Sequence, residues 1–146
     1  MYHVLIAVDD DEGRAADQIE MLRSLPGHED LRVTVVHVYE TVDAPADEAG
    51  RSVIESVNEE LPSLRDLPGT VRSVADAAEE LGVDAEVTER AGDPAAEVLA
   101  EADQRDVDAV LLAGRERSPA GKALFGSVTQ RVMLEGNRPV LVSTEG

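Results

Sequence analysis

The sequence predicts a doubly wound α/β domain, and three observations carry that expectation. Apolar runs rich in β-branched residues recur at residues 2–8 (YHVLIAV), 31–38 (LRVTVVHV) and 107–113 (VDAVLLA), and they read as buried strands. Stretches with helical periodicity lie between them and end on Gly or Pro. The order β-α-β-α-β-α-β-α-β then runs the length of the chain, and such alternation builds a parallel sheet with helices on both faces. The 146 residues show no internal repeat and no low-complexity tract, so residues 1–146 are expected to form a single domain.

The first strand, residues 2–8, is almost continuously apolar, as a strand covered on both faces should be. Asp9, Asp10, Asp11 and Glu12 follow, and acids suit a helix start because they cap N–H groups and oppose the dipole. Asp9 is the expected cap. Ala15, Ala16, Ile19 and Leu22 mark the helix, which stops before Pro26-Gly27. After the second strand comes an acidic loop containing Pro45, then a helical pattern at residues 50–61 carried by Val53, Val57 and Leu61. A firmer helix is predicted for residues 68–81, with Val71, Val74, Ala78 and Leu81 inward and Gly82 as a left-handed terminator. Residues 85–89 form a short third strand. Asp93 is placed to cap the next helix, with Pro94 at its first position and Gln104 near its end. The last strand, residues 138–142, opens with Arg138-Pro139, and the proline suits a sheet edge.

Composition limits the chemistry. The chain has no cysteine, which removes disulfides, thiolate metal sites and thiol nucleophiles. No apolar run approaches the ~20 residues of a membrane span, and no leader pattern opens the chain, so a cytoplasmic location is expected. Thirty-one acids face thirteen bases, a net charge of −18. A surface this acidic fits a halophilic source, where a screening length of ~3 Å at ~1 M salt suppresses self-repulsion. It opposes nucleic-acid binding, which rests on clustered Lys and Arg.

Against that background residues 114–138 carry Arg115, Arg117, Lys122, Arg131 and Arg138 but only Glu116 and Glu135, a local charge of +3. Lys122 is the only lysine. This basic stretch follows the strand at residues 107–113, and Gly126-Ser127 leads a helical pattern with Val128 and Val132 on one face. Strand, glycine-bearing loop and helix start is the arrangement with which α/β proteins bind anions, because backbone N–H groups point out of the helix. Ser127 has no sequence-visible His and carboxylate to activate it, so a binding role is expected rather than catalysis.

The order of these marks resembles the universal stress protein family over nearly the whole chain. They are VDDD after strand one, His37-Val38 closing strand two, Gly92-Asp93-Pro94, Gly114 with Gly126-Ser127-Val128, and the final Pro139-Val140-Leu141-Val142. The resemblance implies a five-stranded parallel sheet in the order 3-2-1-4-5. It also implies a ligand crevice where strands one and four end. It implies ATP or AMP there, with Mg²⁺ accompanying the nucleotide. Asp9 and Val38 would line the ribose and adenine; Gly114, Gly126, Ser127 and Val128 would hold the phosphates. Arg117 stands where the family's second glycine falls, and only eight residues separate it from Gly126 rather than nine. A side chain there keeps backbone from phosphate, so ATP is expected to bind more weakly, with Arg115, Arg117 and Lys122 supplying charged donors instead. The resemblance further implies a homodimer formed by antiparallel pairing of Val140, Leu141 and Val142 with the same strand of a second copy. A stress-response module that binds a nucleotide or another phosphate ligand is the expected function. An interaction module of the same fold without nucleotide binding is the alternative.

Overall fold

The computed structural model describes residues 1–39, 67–114 and 126–143. Five parallel strands lie in the order β3-β2-β1-β4-β5. They are β1 (Tyr2–Ala7), β2 (Leu31–Tyr39), β3 (Asp84–Ala91), β4 (Ala109–Ala113) and β5 (Val140–Ser143). The α-helices of the described residues are α1 (Glu12–Ser24), α2 (Gly69–Glu80), α3 (Pro94–Arg105) and α4 (Ser127–Glu135).

Strand alternation sorts the side chains into two cores. Val4, Ile6, Val33, Val35 and Leu111 face α1 and α2, packing with Leu22, Val71 and Val74. Leu5, Val36, Val110 and Leu112 face the other way, onto α3 and α4 through Val98, Ala102 and Val132. β1 lies inside the sheet, and Val4, Leu5 and Ile6 are completely buried. That is why its sequence shows no polar alternation.

The predicted boundaries hold to within two or three residues, and where they move the cause is local. β4 starts at Ala109, not at Val107, because Asp106 ends α3 in the left-handed region at φ 50°. Val107 then turns its N–H back to Ala102 and drops into the core. β3 is longer than expected, because eight residues, 84–91, stay in register with 32–39 of β2. Gly82 takes φ 82° directly after α2, as expected of a left-handed terminator. The helical pattern of residues 50–61 falls outside the described residues.

One expectation is corrected. Asp9 does not cap α1; Asp11 does, its Oδ1 accepting the Arg14 N–H at 2.8 Å. Asp9 lies two residues too early to reach that N–H and instead accepts the Asp11 N–H at 2.9 Å.

At the opposite edge of the sheet, Arg138 ties two turns together. Its Nε donates to the Val107 carbonyl at 2.8 Å, while its terminal nitrogens donate to Asp103 at 2.5 Å and Asp106 at 3.2 Å. The turn leading into β5 is thereby fastened to the turn between α3 and β4.

Candidate functional site

At the C-terminal edge, β1 and β4 turn their last ladder bonds to opposite neighbours. The Val8 N–H donates to Val36 of β2 at 2.9 Å, whereas the Gly114 N–H donates to Ser143 of β5 at 2.7 Å. The β1–β4 register ends where Ile6 pairs with Leu111, and beyond it the chain runs on to Asp9 from β1 and to Gly114 from β4. Chain leaving β1 returns on the β2 side, and chain leaving β4 returns on the β5 side. The crevice between them is the topological switch point, where open α/β sheets take their ligands.

Two of the helix starts at this edge are closed by carboxylates. Asp11 caps α1, and Asp93 caps α3 by accepting the Ala96 N–H at 3.1 Å. The starts of α2, led by Pro68, and of α4 carry no such cap; α4 is led by Gly126, which has no side chain to offer the free N–H groups. The Thr129 hydroxyl donates to the Ala113 carbonyl at 3.2 Å, which docks this uncapped first turn on the end of β4. Ser127 is exposed, and Val128 is half-buried. Val128 and Val38 pack against the same apolar cluster. The structure therefore brings Gly114 together with the start of α4, and sets Val38 and Val128 on one side of the sheet.

Asp9 is fixed in several ways. Its carbonyl accepts the Thr70 hydroxyl at 2.5 Å, and its carboxylate takes the Arg14 Nε at 2.8 Å as well as the Asp11 N–H. His37, buried one strand over, holds its Nδ1 2.8 Å from the Val8 carbonyl and meets Tyr39 edge-on at 4.7 Å. It packs at the strand end, as its position in the sequence implied.

The basic stretch does not act as one unit. Arg131 is spent on Asp93 at 2.7 Å and Glu135 at 3.1 Å, and Arg138 on Asp103 and Asp106. Counting charge along the chain missed this, because Asp93, Asp103 and Asp106 lie outside the counted window. The i,i+4 spacing of Arg131 and Glu135 was the one visible signal. Arg115, Arg117 and Lys122 lie outside the described residues. Reading the sequence also passed over Arg14 and Thr129. Among the described residues no three carboxylate or imidazole groups converge as a metal site.

The Asp93 carboxyl is held below its usual range, first by the Ala96 N–H and then by the Arg131 guanidinium. A depressed carboxyl stabilises the fold above its unfolded pKa, about 3.9 for Asp, and loses that contribution as the pH falls through the lower folded value. Asp93→Asn keeps a capping oxygen and removes the charge. The variant should melt slightly below wild type at pH 7, and the two melting points should converge as the solution is acidified through the carboxylate range.

A cleft of about 220 Å³ lies elsewhere, between the last turns of α3 and α4, with Leu99, Val110, Val132, Val140 and Arg138 in its wall. It opens at the starting ends of β4 and β5, away from the switch point.

The universal stress protein family model matches residues 1–143. The chain belongs to that family. A universal stress protein of Mycolicibacterium smegmatis is 38% identical over 74 residues, a segment that spans 50% of this chain and 57% of that protein. Among solved structures, the protein MJ0577 superposes with a TM-score of 0.78 at 19% identity, covering 99% of this chain and 96% of its own. The Archaeoglobus fulgidus universal stress protein, solved in complex with dAMP, gives a TM-score of 0.63 at 22% identity, covering 98% of both chains. At these identities the structural likeness establishes the shared fold: the family's five-stranded sheet in the order 3-2-1-4-5. No described helix is long and apolar enough to cross a membrane.

Proposed function

We propose that this universal stress protein is a stress-response module that binds an adenine nucleotide, AMP before ATP, or another phosphate-bearing ligand at the switch point between β1 and β4. The observation that carries the reading is the uncapped, glycine-led start of α4 docked on the end of β4, where two other helix starts at the same edge are closed by carboxylates. Free N–H groups and the positive end of a helix favour phosphate. The dAMP in the Archaeoglobus fulgidus structure supports an adenine nucleotide as the ligand class. Gly114, Gly126, Ser127 and Val128 are assigned to the phosphates, and Asp9 and Val38 to the nucleoside. Arg115, Arg117 and Lys122 are assigned as charged donors.

Titration calorimetry with ATP, AMP and inorganic phosphate, with and without Mg²⁺, tests the reading, together with identification of any nucleotide that co-purifies. Saturable binding of AMP is the expected result. No heat with any of the three, and nothing co-purifying, would overturn it in favour of an interaction module without a nucleotide.

We also infer that the outer edge of β5 pairs with a second copy of the chain. Pro139 and Ser143 turn their carbonyls to Val110 and Gly114 of β4. By alternation Leu141 faces β4 as well, and the main-chain groups of Val140 and Val142 point outward. Open edges of this kind are normally protected, and a self-complementary contact closes as a dimer. Val142→Pro removes an outward N–H and leaves the β4 ladder intact. Light scattering should give twice 15.6 kDa for the wild type and 15.6 kDa for the variant. A wild type already monomeric at micromolar concentration excludes the contact.

A further inference from the structure

The cleft between the last turns of α3 and α4 takes no part in the switch-point reading, and its wall and rim differ in chemistry. The wall is aliphatic, built from Leu99, Ala102, Val110, Val132 and Val140. Its volume of about 220 Å³ equals that of about seven water molecules in the liquid. Pockets for drug-sized ligands are larger, at ~300–1,000 Å³, so this one suits a compact molecule with a single ring or a short chain. Residue 136 has to be glycine for α4 to close on it: a Cβ there would stand 2.6 Å from the Val132 carbonyl and 3.2 Å from Leu99 Cδ2.

The rim is electronegative for two reasons. Its carboxylates, Asp103 and Glu135, each share a cation with a second acid, since Arg138 also serves Asp106 and Arg131 also serves Asp93. The negative end of α4 also stands here uncompensated. Gly136 leaves the helix extended, at φ −79° and ψ 156°, not in the left-handed turn that ties off the last carbonyls. The Gly136 N–H returns to Val132, but among the described residues no main-chain N–H reaches the carbonyls of Met133, Leu134 or Glu135. No basic residue occupies the last turn of α4; Glu135 does, where the helix dipole disfavours an acid. α3 is the opposite case. The N–H groups of Asp106 and Val107 return to Asp103 and Ala102, and Arg105 stands in its last turn.

We propose that this cleft is a further binding site, for a small organic cation. The apolar body lies on Leu99, Val132 and Val140, and the ammonium group faces Glu135 and the carbonyl end of α4. Charge complementarity makes the choice. An anion is repelled by the rim, a neutral apolar molecule leaves the end of α4 unanswered, and a hydrated metal ion leaves the aliphatic wall uncovered. An organic cation satisfies wall and rim together. The site is remote from the crevice between β1 and β4 and does not depend on what binds there.

The test is a heteronuclear NMR titration of the full chain with phenethylammonium in about 1 M KCl, which screens diffuse attraction to a surface of net charge −18. Saturable shifts are expected at the amides of Leu99, Gly136, Asn137 and Val140. Phenylacetate, with a similar body and the opposite charge, should give none there, and phenethyl alcohol should bind more weakly than the ammonium. Glu135→Gln alters an exposed side chain and should weaken phenethylammonium about two- to fivefold, the effect of one partly screened charge. Leu99→Phe should fill the cleft and abolish the shifts. Shifts that never saturate or spread over the acidic surface overturn the proposal, as does unchanged affinity in Glu135→Gln. Equal binding of the alcohol and the ammonium would also sink it, by showing a cleft that does not select charge. Each of these failures leaves the switch-point reading untouched.

Discussion

Gly126→Asp should abolish binding of AMP and of inorganic phosphate while leaving the protein at least as stable as before. The backbone at Gly126 has φ −68° and ψ 160°, an extended conformation open to any residue, so the substitution needs no strained geometry. A carboxylate at this position reaches the N–H groups of the first helical turn, as Asp11 and Asp93 already do for α1 and α3. Aspartate is a better cap than glycine by a few tenths of a kcal/mol, so the melting point should hold or rise slightly. Anion binding should go the other way. The carboxylate sits where phosphate would, fills the same donors and repels what remains. Paired melts and calorimetric titrations decide it, and undiminished AMP affinity in the variant would place the phosphate away from α4.

Raising KCl from about 0.1 M to about 2 M should raise the melting point substantially, because screening shortens from about 10 Å to 3 Å or less over that range. The sign is not obvious, since salt also weakens ion pairs. Arg14, Arg23, Arg32, Arg90, Arg105, Arg131 and Arg138 all sit in such pairs. Most are substantially exposed, and such pairs contribute about 0–1 kcal/mol each. The acids outnumber their partners: Glu12, Asp17, Asp76, Glu79 and Glu80 form no ion pair among the described residues. Like charges three or four residues apart on a helix, as Asp76 is to Glu79 and Glu80, cost about 0.2–0.5 kcal/mol a pair. Each kcal/mol of repulsion relieved raises the melting point by about 2–4 °C for a chain of this size. A melting point flat across the range would mean that the charge excess carries no adaptation to salt.

The strands were the most legible elements because each is built from residues that have no other good use. Val4, Leu5 and Ile6 can only be buried, and a run apolar on both faces belongs inside a parallel sheet. The Asp93-Pro94 cap and Gly82 were legible for a similar reason, since local backbone chemistry leaves few alternatives. Charge was the poorest guide. An arginine reaches its partner through space, so Arg138 could not be matched to Asp103 and Asp106, more than thirty residues away, before the fold was known. The Asp9 assignment failed on a finer scale. Four acids in a row offered four equivalent caps, and only the turn from β1 into α1 selects Asp11.

The fastening made by Arg138 has a meaning for how such a chain diverges. It secures the starting ends of β4 and β5 through α3, at the edge of the sheet opposite the switch point. Substitutions around Gly114 and Gly126 thus fall on a part of the molecule whose neighbours are anchored from behind. Drift in ligand preference and drift in fold stability can then proceed as separable traits, with selection on one leaving little trace in the other. A lineage can then change residues around Gly114 and Gly126 and keep the scaffold intact.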